Sequence, residues 1–304
     1  MPPNHHQVRA FAYVVREGSF SAAAKSLSVS QSAVTQHVAN LERRVGSKLL
    51  VRARQGVELT RTGRELFEFA ERLVTLETLI EERIGGYSDL SHGQLSVIAN
   101  APQPALRLIS TYGMRYPEIE VDFALHDWTS AMSLLRANHV DIGIITAPAR
   151  SDDLYVHKMT EAKYVLYCRS DHPLAQKTDV KLEDLIHEVL LLPERGSLTQ
   201  RVVTDCLQKH GIQPRRTQKT TTFPVMKEAI LESVGVGIFL ENSAADETRL
   251  VERAIIEMPQ TFDTCLVVPK HKLELRLIQS FVQLEKDYAM ANAAPSHGRA
   301  QTPR

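Results

Sequence analysis

Apolar residues return at helical spacing three times within the first 46 positions. Val8, Phe11 and Val15 form one stripe, stopped at Gly18. Ser19-Phe20-Ser21 opens an alanine-rich helix, Ala22 to Leu27, for which Ser21 can serve as cap. Ser30 reads as the next cap. Behind it Val34, Val38, Leu41 and Val45 recur at i, i+4, i+7 and i+11 and predict a buried face. Ser32, Thr35, Gln36 and Arg43 fall on the opposite face, and Gly46 ends the helix. Two short β-like runs, Leu49 to Val51 and Val57 to Thr60, flank the polar tip Arg52-Ala53-Arg54-Gln55-Gly56 and read as a hairpin. Three helices and a hairpin make a winged helix-turn-helix, a motif whose third helix enters the DNA major groove.

A long helix follows. Thr62 and Glu65 fit a capping box, with Thr62 at the cap. Leu66, Phe69, Leu73, Leu76, Ile80 and Ile84 form a continuous apolar seam, stopped by Gly85-Gly86. About 22 residues at ~1.5 Å each give a rod of ~33 Å. Such a seam needs a partner, either a second copy of the chain or the chain's own body.

From residue 92 the pattern changes. Strands at Leu95 to Ala99, Glu120 to Leu125, Val140 to Thr146, Tyr164 to Arg169, Val189 to Leu192, Thr217 to Thr222, 236–240 and 263–268 alternate with helices at 103–116, 129–137, 181–186, 197–210, 224–233, near 243–247 and at 272–288. Strands separated by helices predict parallel βαβ units. The expected class is a mainly α winged helix-turn-helix, a linker helix and an α/β domain of two lobes. The boundaries read as 1–61 for the DNA-binding domain, 62–91 for the linker and 92–290 for the effector domain. Within the last, the first lobe takes 92–163 and 267–290 and the second 164–266. The tail 291–304 is polar and expected to be disordered.

Charge sharpens this picture. The chain of 304 residues carries 36 Lys+Arg against 36 Asp+Glu. Residues 1–64 hold ten bases and three acids, a net of +7, and residues 65–84 hold six acids and two bases, a net of −4. Neutrality is therefore an average over a basic head, an acidic rod and a slightly acidic body. The basic head is the footprint that phosphate backbones require.

Other classes lose ground. No stretch of ~18 apolar residues exists to span a membrane. The first seven residues resemble no secretion signal, so a cytoplasmic protein is expected. Cys168, Cys206 and Cys265 are too few for a disulfide scaffold. Their wide spacing and apolar neighbours favour inert thiols over a redox sensor, the main alternative reading. No metal-ligand spacing, phosphate loop or nucleophile elbow occurs, so neither enzymatic activity nor a cofactor is expected. His126-Asp127 fits a capped turn better than a catalytic pair.

The head resembles the LysR-type transcriptional regulators. The match runs through Phe11-Ala12-Tyr13-Val14-Val15-Arg16-Glu17-Gly18-Ser19-Phe20, Ala22-Ala23-Ala24, Leu27, Ser30 to Val38, Leu41-Glu42, Gly46, Leu49-Leu50, Arg52 and Leu59 to Gly63 without interruption of spacing. His172-Pro173-Leu174, Gly196-Ser197 with Arg201, and Val234 to Ile238 resemble the family's effector domain, so the likeness covers roughly residues 6–290. Two positions depart from it: Ser32 and Glu241 stand where many members carry proline. Asn100-Ala101-Pro102, Thr146-Ala147-Pro148 and Glu194 to Thr199 are similar to a subgroup linked to aminoethylphosphonate use.

The resemblance implies promoter DNA, RNA polymerase, a small-molecule effector and further copies of the chain (a homodimer or homotetramer) as partners. It assigns DNA contacts to Ser30, Gln31, Ser32, Thr35 and Gln36 on the third helix, and to Arg52, Arg54 and Gln55 on the wing. A glutamine at such a position can pair with adenine in a bidentate way. For the effector it implies a cleft between lobes, at the carboxyl ends of strands. The residues expected there are Asn100, Ala101, Trp128, Thr129, Arg195, Ser197, Thr199 and Phe223. Gly196-Ser197 before a helix suits an anion.

Overall fold

Asparagine, serine and threonine caps decide where the helices of the head begin. The computed structural model describes residues 4–53, 56–84, 92–244 and 247–293. Helix α1 (His5–Arg16) starts behind Asn4, whose side chain accepts from the His6 amide. Helix α2 (Phe20–Ser26) is capped by Ser19, which accepts from the Ala22 amide at 3.1 Å. Ser21, the expected cap, is instead inside the first turn. Ser30 caps α3 (Gln31–Val45) through the Ala33 amide at 3.2 Å.

The buried face of α3 holds Val34, Val38, Leu41 and, in place of the expected Val45, Glu42. Val45 is exposed because the helix ends at Gly46. The Glu42 carboxylate is buried because it gathers donors from the following turn. It accepts from the Leu49 amide at 3.0 Å, the Leu50 amide at 3.3 Å and Lys48 Nζ at 2.7 Å. Strands β1 (Leu50–Ala53) and β2 (Gly56–Leu59) then pair as the antiparallel wing.

Helix α4 (Arg61–Ile84) begins one residue before the expected cap, Thr62. Thr60 caps instead: its hydroxyl accepts from the Gly63 amide at 3.0 Å and donates to the Lys48 carbonyl at 2.8 Å. A Cβ at position 63 would lie 2.1 Å from the Leu49 carbonyl oxygen, so this contact requires glycine. One face of α4 belongs to the head. Phe67, Ala70 and Val74 complete the core of α1 to α3, so that core extends past residue 61. The other face carries the expected seam. Leu66 and Leu73 are partly covered, whereas Phe69, Leu76, Ile80 and Ile84 stand open.

The body is built from β3 (Gly93–Ala99), α5 (Ala105–Arg115), β4 (Ile119–Leu125), α6 (Trp128–Arg136), β5 (Ile142–Thr146), β6 (Leu154–Arg169), β7 (Asp179–Val180), β8 (Val189–Pro193), α7 (Leu198–Lys209), β9 (Arg216–Thr220), α8 (Phe223–Leu231), β10 (Val236–Leu240), β11 (Leu250–Ile255), β12 (Thr261–Pro269) and α9 (Arg276–Ala293). Strands run in the order β4-β3-β5-β12-β6-β10-β8-β9. The βαβ units are parallel as expected, β4-β3-β5 in one lobe and β10-β8-β9 in the other.

The long strand β6 joins the lobes. It pairs with β12 up to Lys163 and with β10 from Tyr164 onward. Strand β12 lies in the first lobe's sheet from Thr261, so the return crossing precedes it and does not fall at 266/267. The segment 181–186 forms a 3-10 turn rather than an α-helix, residues 241–244 form turns rather than a helix, and α9 starts at Arg276 after a 3-10 turn over Lys270–Lys272. The expected stop at Gly85-Gly86 and the tail 294–304 lie outside the described residues. Among the described residues, no helix is long and apolar enough to cross a membrane.

Head and body meet on α4. The Glu71 side chain is fully buried there, and its carboxylate accepts Arg16 Nε at 2.8 Å and lies 3.3 Å from Lys272 Nζ. Phe67 stacks on His139 with ring centroids 5.9 Å apart. His271 adjoins this contact with its Nε2 buried and without a hydrogen-bond partner. Burial pushes its imidazole down to about 4, and the nearby Lys272 adds to this. Burial lowers His139 as well.

A depressed histidine binds fewer protons folded than unfolded, so stability is lost as pH falls. Denaturation midpoints should be level above about pH 6.5 and fall steadily toward about pH 4. His271→Gln should flatten this fall in part, His139 keeping the remainder. A wild-type profile level throughout that window would contradict the buried, neutral state.

Candidate functional site

Two surfaces carry candidate chemistry. The first is the outer face of α3. Ser30, Gln31, Ser32, Thr35 and Gln36 are all exposed on its first two turns. Ser30 and Ser32 hydroxyls lie 2.9 Å apart, and the Thr35 hydroxyl donates to the Gln31 carbonyl at 2.9 Å. Gln31 and Gln36 are the long polar side chains on this face. Arg52 stands on β1 of the wing, and Arg54 and Gln55 lie outside the described residues.

Part of the head's positive charge is paired within the fold. Arg16 is committed to Glu71, Lys48 to Glu42 and Arg61 to Glu65, while Arg64 donates to the Leu59 carbonyl.

The second surface is a cavity of about 300 Å³ between the lobes. Asn100, at the end of β3, holds the first lobe's side; its Oδ1 accepts from the Thr146 amide at 2.9 Å. Arg195, Ser197 and Phe223 hold the second lobe's side. Phe223 is buried and stacks on Phe239 with centroids 4.4 Å apart, which makes an aromatic floor. Ser197 and Thr222 are the cap positions of α7 and α8, and neither side chain bonds its own helix. Two helix N-termini without side-chain caps thus open on one cavity. Each carries about half a positive charge, which suits an anion; α7 supplies more backbone N–H groups than α8, where Pro224 has none, and Asp127 and Glu194 also line the cavity.

Four expected effector residues sit elsewhere. Ala101 is buried in the second lobe's core cluster. Thr199 is buried, its hydroxyl donating to Tyr164 Oη at 3.2 Å. Trp128 and Thr129 form a latch between lobes. The Trp128 indole N–H reaches the carbonyls of Thr146 and Ala147 at 3.0 and 3.2 Å. Its ring lies under the Arg201 guanidinium, 4.4 Å from the centroid. Thr129 donates through its hydroxyl to the Gly196 carbonyl at 3.2 Å. Gly196 has φ +98°, and a Cβ there would meet Asp127 Oδ1 at 2.7 Å, so the latch needs glycine.

Asp127 is a cap, accepting from the Thr129 and Ser130 amides at 2.9 and 3.1 Å. Burial raises its carboxyl, but the Ser130 hydroxyl and these amides more than offset that and hold it low. Glu241, one of the two departures, lines none of the cavity; it accepts from the Lys163 amide at 3.0 Å and pins the crossing strand. Leu125, Pro193 and Phe239 line the cavity without having been expected. Apolar residues at strand ends look like ordinary core in a sequence.

A winged helix-turn-helix joined to a two-lobed cleft domain defines a DNA-binding regulator with a small-molecule sensor. The chain belongs to the LysR family. The family model for the LysR substrate binding domain matches residues 88–289, and that for the bacterial regulatory helix-turn-helix protein, lysR family, matches residues 5–64. Among curated relatives, the HTH-type transcriptional regulator CysL of Bacillus subtilis is 25% identical over 234 residues, covering 76% of this chain and 78% of that protein.

Among solved structures, a full-length OxyR variant from Pseudomonas aeruginosa superposes with a TM-score of 0.78 at 19% identity, covering 94% of this chain and 95% of the other. The Synechocystis CcmR regulatory domain, solved in complex with 2-PG, gives a TM-score of 0.58 at 22% identity, covering 67% of this chain and 99% of its own.

Trp128 is the sole tryptophan, so intrinsic fluorescence reports the latch directly. Arg201→Ala removes a cation–π contact worth about 1–2 kcal/mol when partly desolvated. The expected outcome is a red-shifted emission and stronger acrylamide quenching in the unliganded chain. Emission identical to wild type would mean that Arg201 does not close the lobes.

Proposed function

We propose that this protein binds promoter DNA as a dimer within a tetramer and responds to a small anionic metabolite held between its lobes. The open residues Phe69, Leu76, Ile80 and Ile84, with the partly covered Leu73, have the spacing of a coiled-coil contact and face a second copy of the chain. Each α3 enters a major groove, with Gln36 reading a base and Ser30, Gln31, Ser32 and Thr35 placed along the groove wall. Arg52, Arg54 and Gln55 on the wing contact the backbone or minor groove. The ligand binds Asn100, Arg195, Ser197 and the start of α8, with Phe223 beneath it. Its binding alters lobe closure, hence the angle between heads and the contact with RNA polymerase. The protein acts in the cytoplasm, without catalysis of its own and without a cofactor.

The anionic nature of the ligand rests on one observation: α7 and α8 both open on the cavity without side-chain caps. Phosphonates such as aminoethylphosphonate fit that charge pattern. Sensing through thiols gains no support, since burial pushes Cys168 and Cys265 up to about 11 and raises Cys206 as well. Thiols held so high carry little reactive thiolate.

Thermal denaturation against a panel of small phosphates, phosphonates and carboxylates tests the cleft. A true effector at ~100 times its Kd stabilises by about 2.7 kcal/mol. Ser197→Asp supplies its own carboxylate to the α7 terminus, so it should stabilise the free chain and abolish the ligand's shift. A shift that survives unchanged in Ser197→Asp would place the ligand elsewhere.

The DNA face has its own test. Gln36→Ala should change which operators bind, by about 1–3 kcal/mol at one base pair. Arg54→Ala should weaken all operators evenly and reduce the salt dependence. If neither change alters binding in gel shifts, α3 and the wing do not form the interface.

A further inference from the structure

The head is fastened to the sensor by four charges in a row. Arg16 of α1 reaches the Glu71 carboxylate through Nε at 2.8 Å. Glu71 lies 3.3 Å from Lys272 Nζ, and that ammonium donates to Asp141 Oδ1 at 3.0 Å. Lys272 also reaches the Asn138 carbonyl at 3.5 Å. Glu71 and Lys272 are almost wholly buried, with side-chain exposures of 0% and 3%. Two cations and two anions alternate, so each buried charge has an opposite neighbour. Arg16 and Glu71 belong to the head and its helix, whereas Lys272 and Asp141 belong to the first lobe. The bond between Glu71 and Lys272 therefore spans the domain boundary.

The row's far end leads to the cleft. Asp141 precedes β5 and exchanges two bonds with Ser96 of β3: the Ser96 amide donates to Asp141 Oδ2, and the Asp141 amide to the Ser96 carbonyl, both at 3.0 Å. At the other end of these same strands, about 17 Å away at ~3.3 Å per residue, Asn100 binds the Thr146 amide and lines the cavity. Helix α6 runs alongside. Its cap Asp127 lines the cavity, its Trp128 latches the second lobe, and beyond its far end Asn138 and His139 meet Lys272 and Phe67. A strand pair and a helix thus connect the cavity to the buried charges.

We propose that Lys272 and Asp141, both outside the DNA-binding face, are positioning residues for DNA recognition: through Glu71 they set the angle of the head on the sensor, and β5 and α6 transmit lobe movement to that angle. This rests on the regulator reading above, with the effector cleft as its input.

The test uses the full chain carrying Lys272→Met, with Lys272→Arg as the conservative rescue. Arg16 stays on Glu71 in both, so the head keeps its own ion pair. Hydrogen exchange is read at 64–76 and 134–145. Affinity is measured on a random-sequence duplex, and DNase I protection on the DNA upstream of the protein's own gene.

For Lys272→Met the expected result is at least tenfold faster exchange in both segments, random-duplex affinity within twofold of wild type, and an altered pattern of protection. Lys272→Arg should restore all three toward wild type. Exchange unchanged in Lys272→Met would overturn the fastening. Faster exchange with unchanged protection would overturn the positioning role. Should Lys272→Met not fold, Asp141→Asn takes its place with the same expected results. A wild-type chain that binds no DNA would refute the regulator reading instead, while the exchange result would still judge the fastening.

Discussion

A carboxylate with no solvent exposure organises this molecule. Glu71 sits where α1, α4 and the first lobe converge, and it is ionised only because Arg16 and Lys272 face it. Burial alone raises its carboxyl; the two cations more than offset that and hold it below the usual range. Leaving such a charge without its partners costs about 3–5 kcal/mol. The head therefore cannot leave the sensor without exposing Glu71 and Lys272 to water or separating them. Apolar contact alone would tolerate sliding; a row of buried charges specifies one register. Phe67 on His139 completes the contact from the apolar side.

The same economy runs through the electrostatics of the chain. Its 36 bases and 36 acids cancel overall, and the basic excess lies in the first 64 residues. The structure divides that excess further. Arg16 and Lys48 hold the fold together through Glu71 and Glu42, leaving exposed groups such as Lys25 and Arg43 to face outward. In the cleft two helices start without side-chain caps of their own, beside Arg195 and the carboxylates Asp127 and Glu194.

Much of this was legible from residue order. Period and caps located α3 and its exposed face, and the alternation of strands and helices announced two α/β lobes. The misses have physical causes. Ser19 competes with Ser21, and Thr60 with Thr62, as neighbouring caps of equal chemistry; only the backbone path chooses between them. Strand β11 and the first half of β6 carry Glu252, Arg253, Lys158 and Glu161, so they lack an apolar signature and are held by pairing between distant segments. Trp128 and Thr129 lie beside the cleft in sequence and in space, yet the facing lobe claims them. Glu71 read as one acid among six on a solvated rod, since its partner Lys272 lies about two hundred residues away.

A basic head lets a chain of zero net charge bind duplex DNA. The most direct measurement is the affinity of the full chain for promoter DNA across a range of salt concentrations. Neutralising at least ~5 phosphates with two heads gives a fall of log K with log salt steeper than about −4. A slope near zero, or no binding at low salt, would contradict the account.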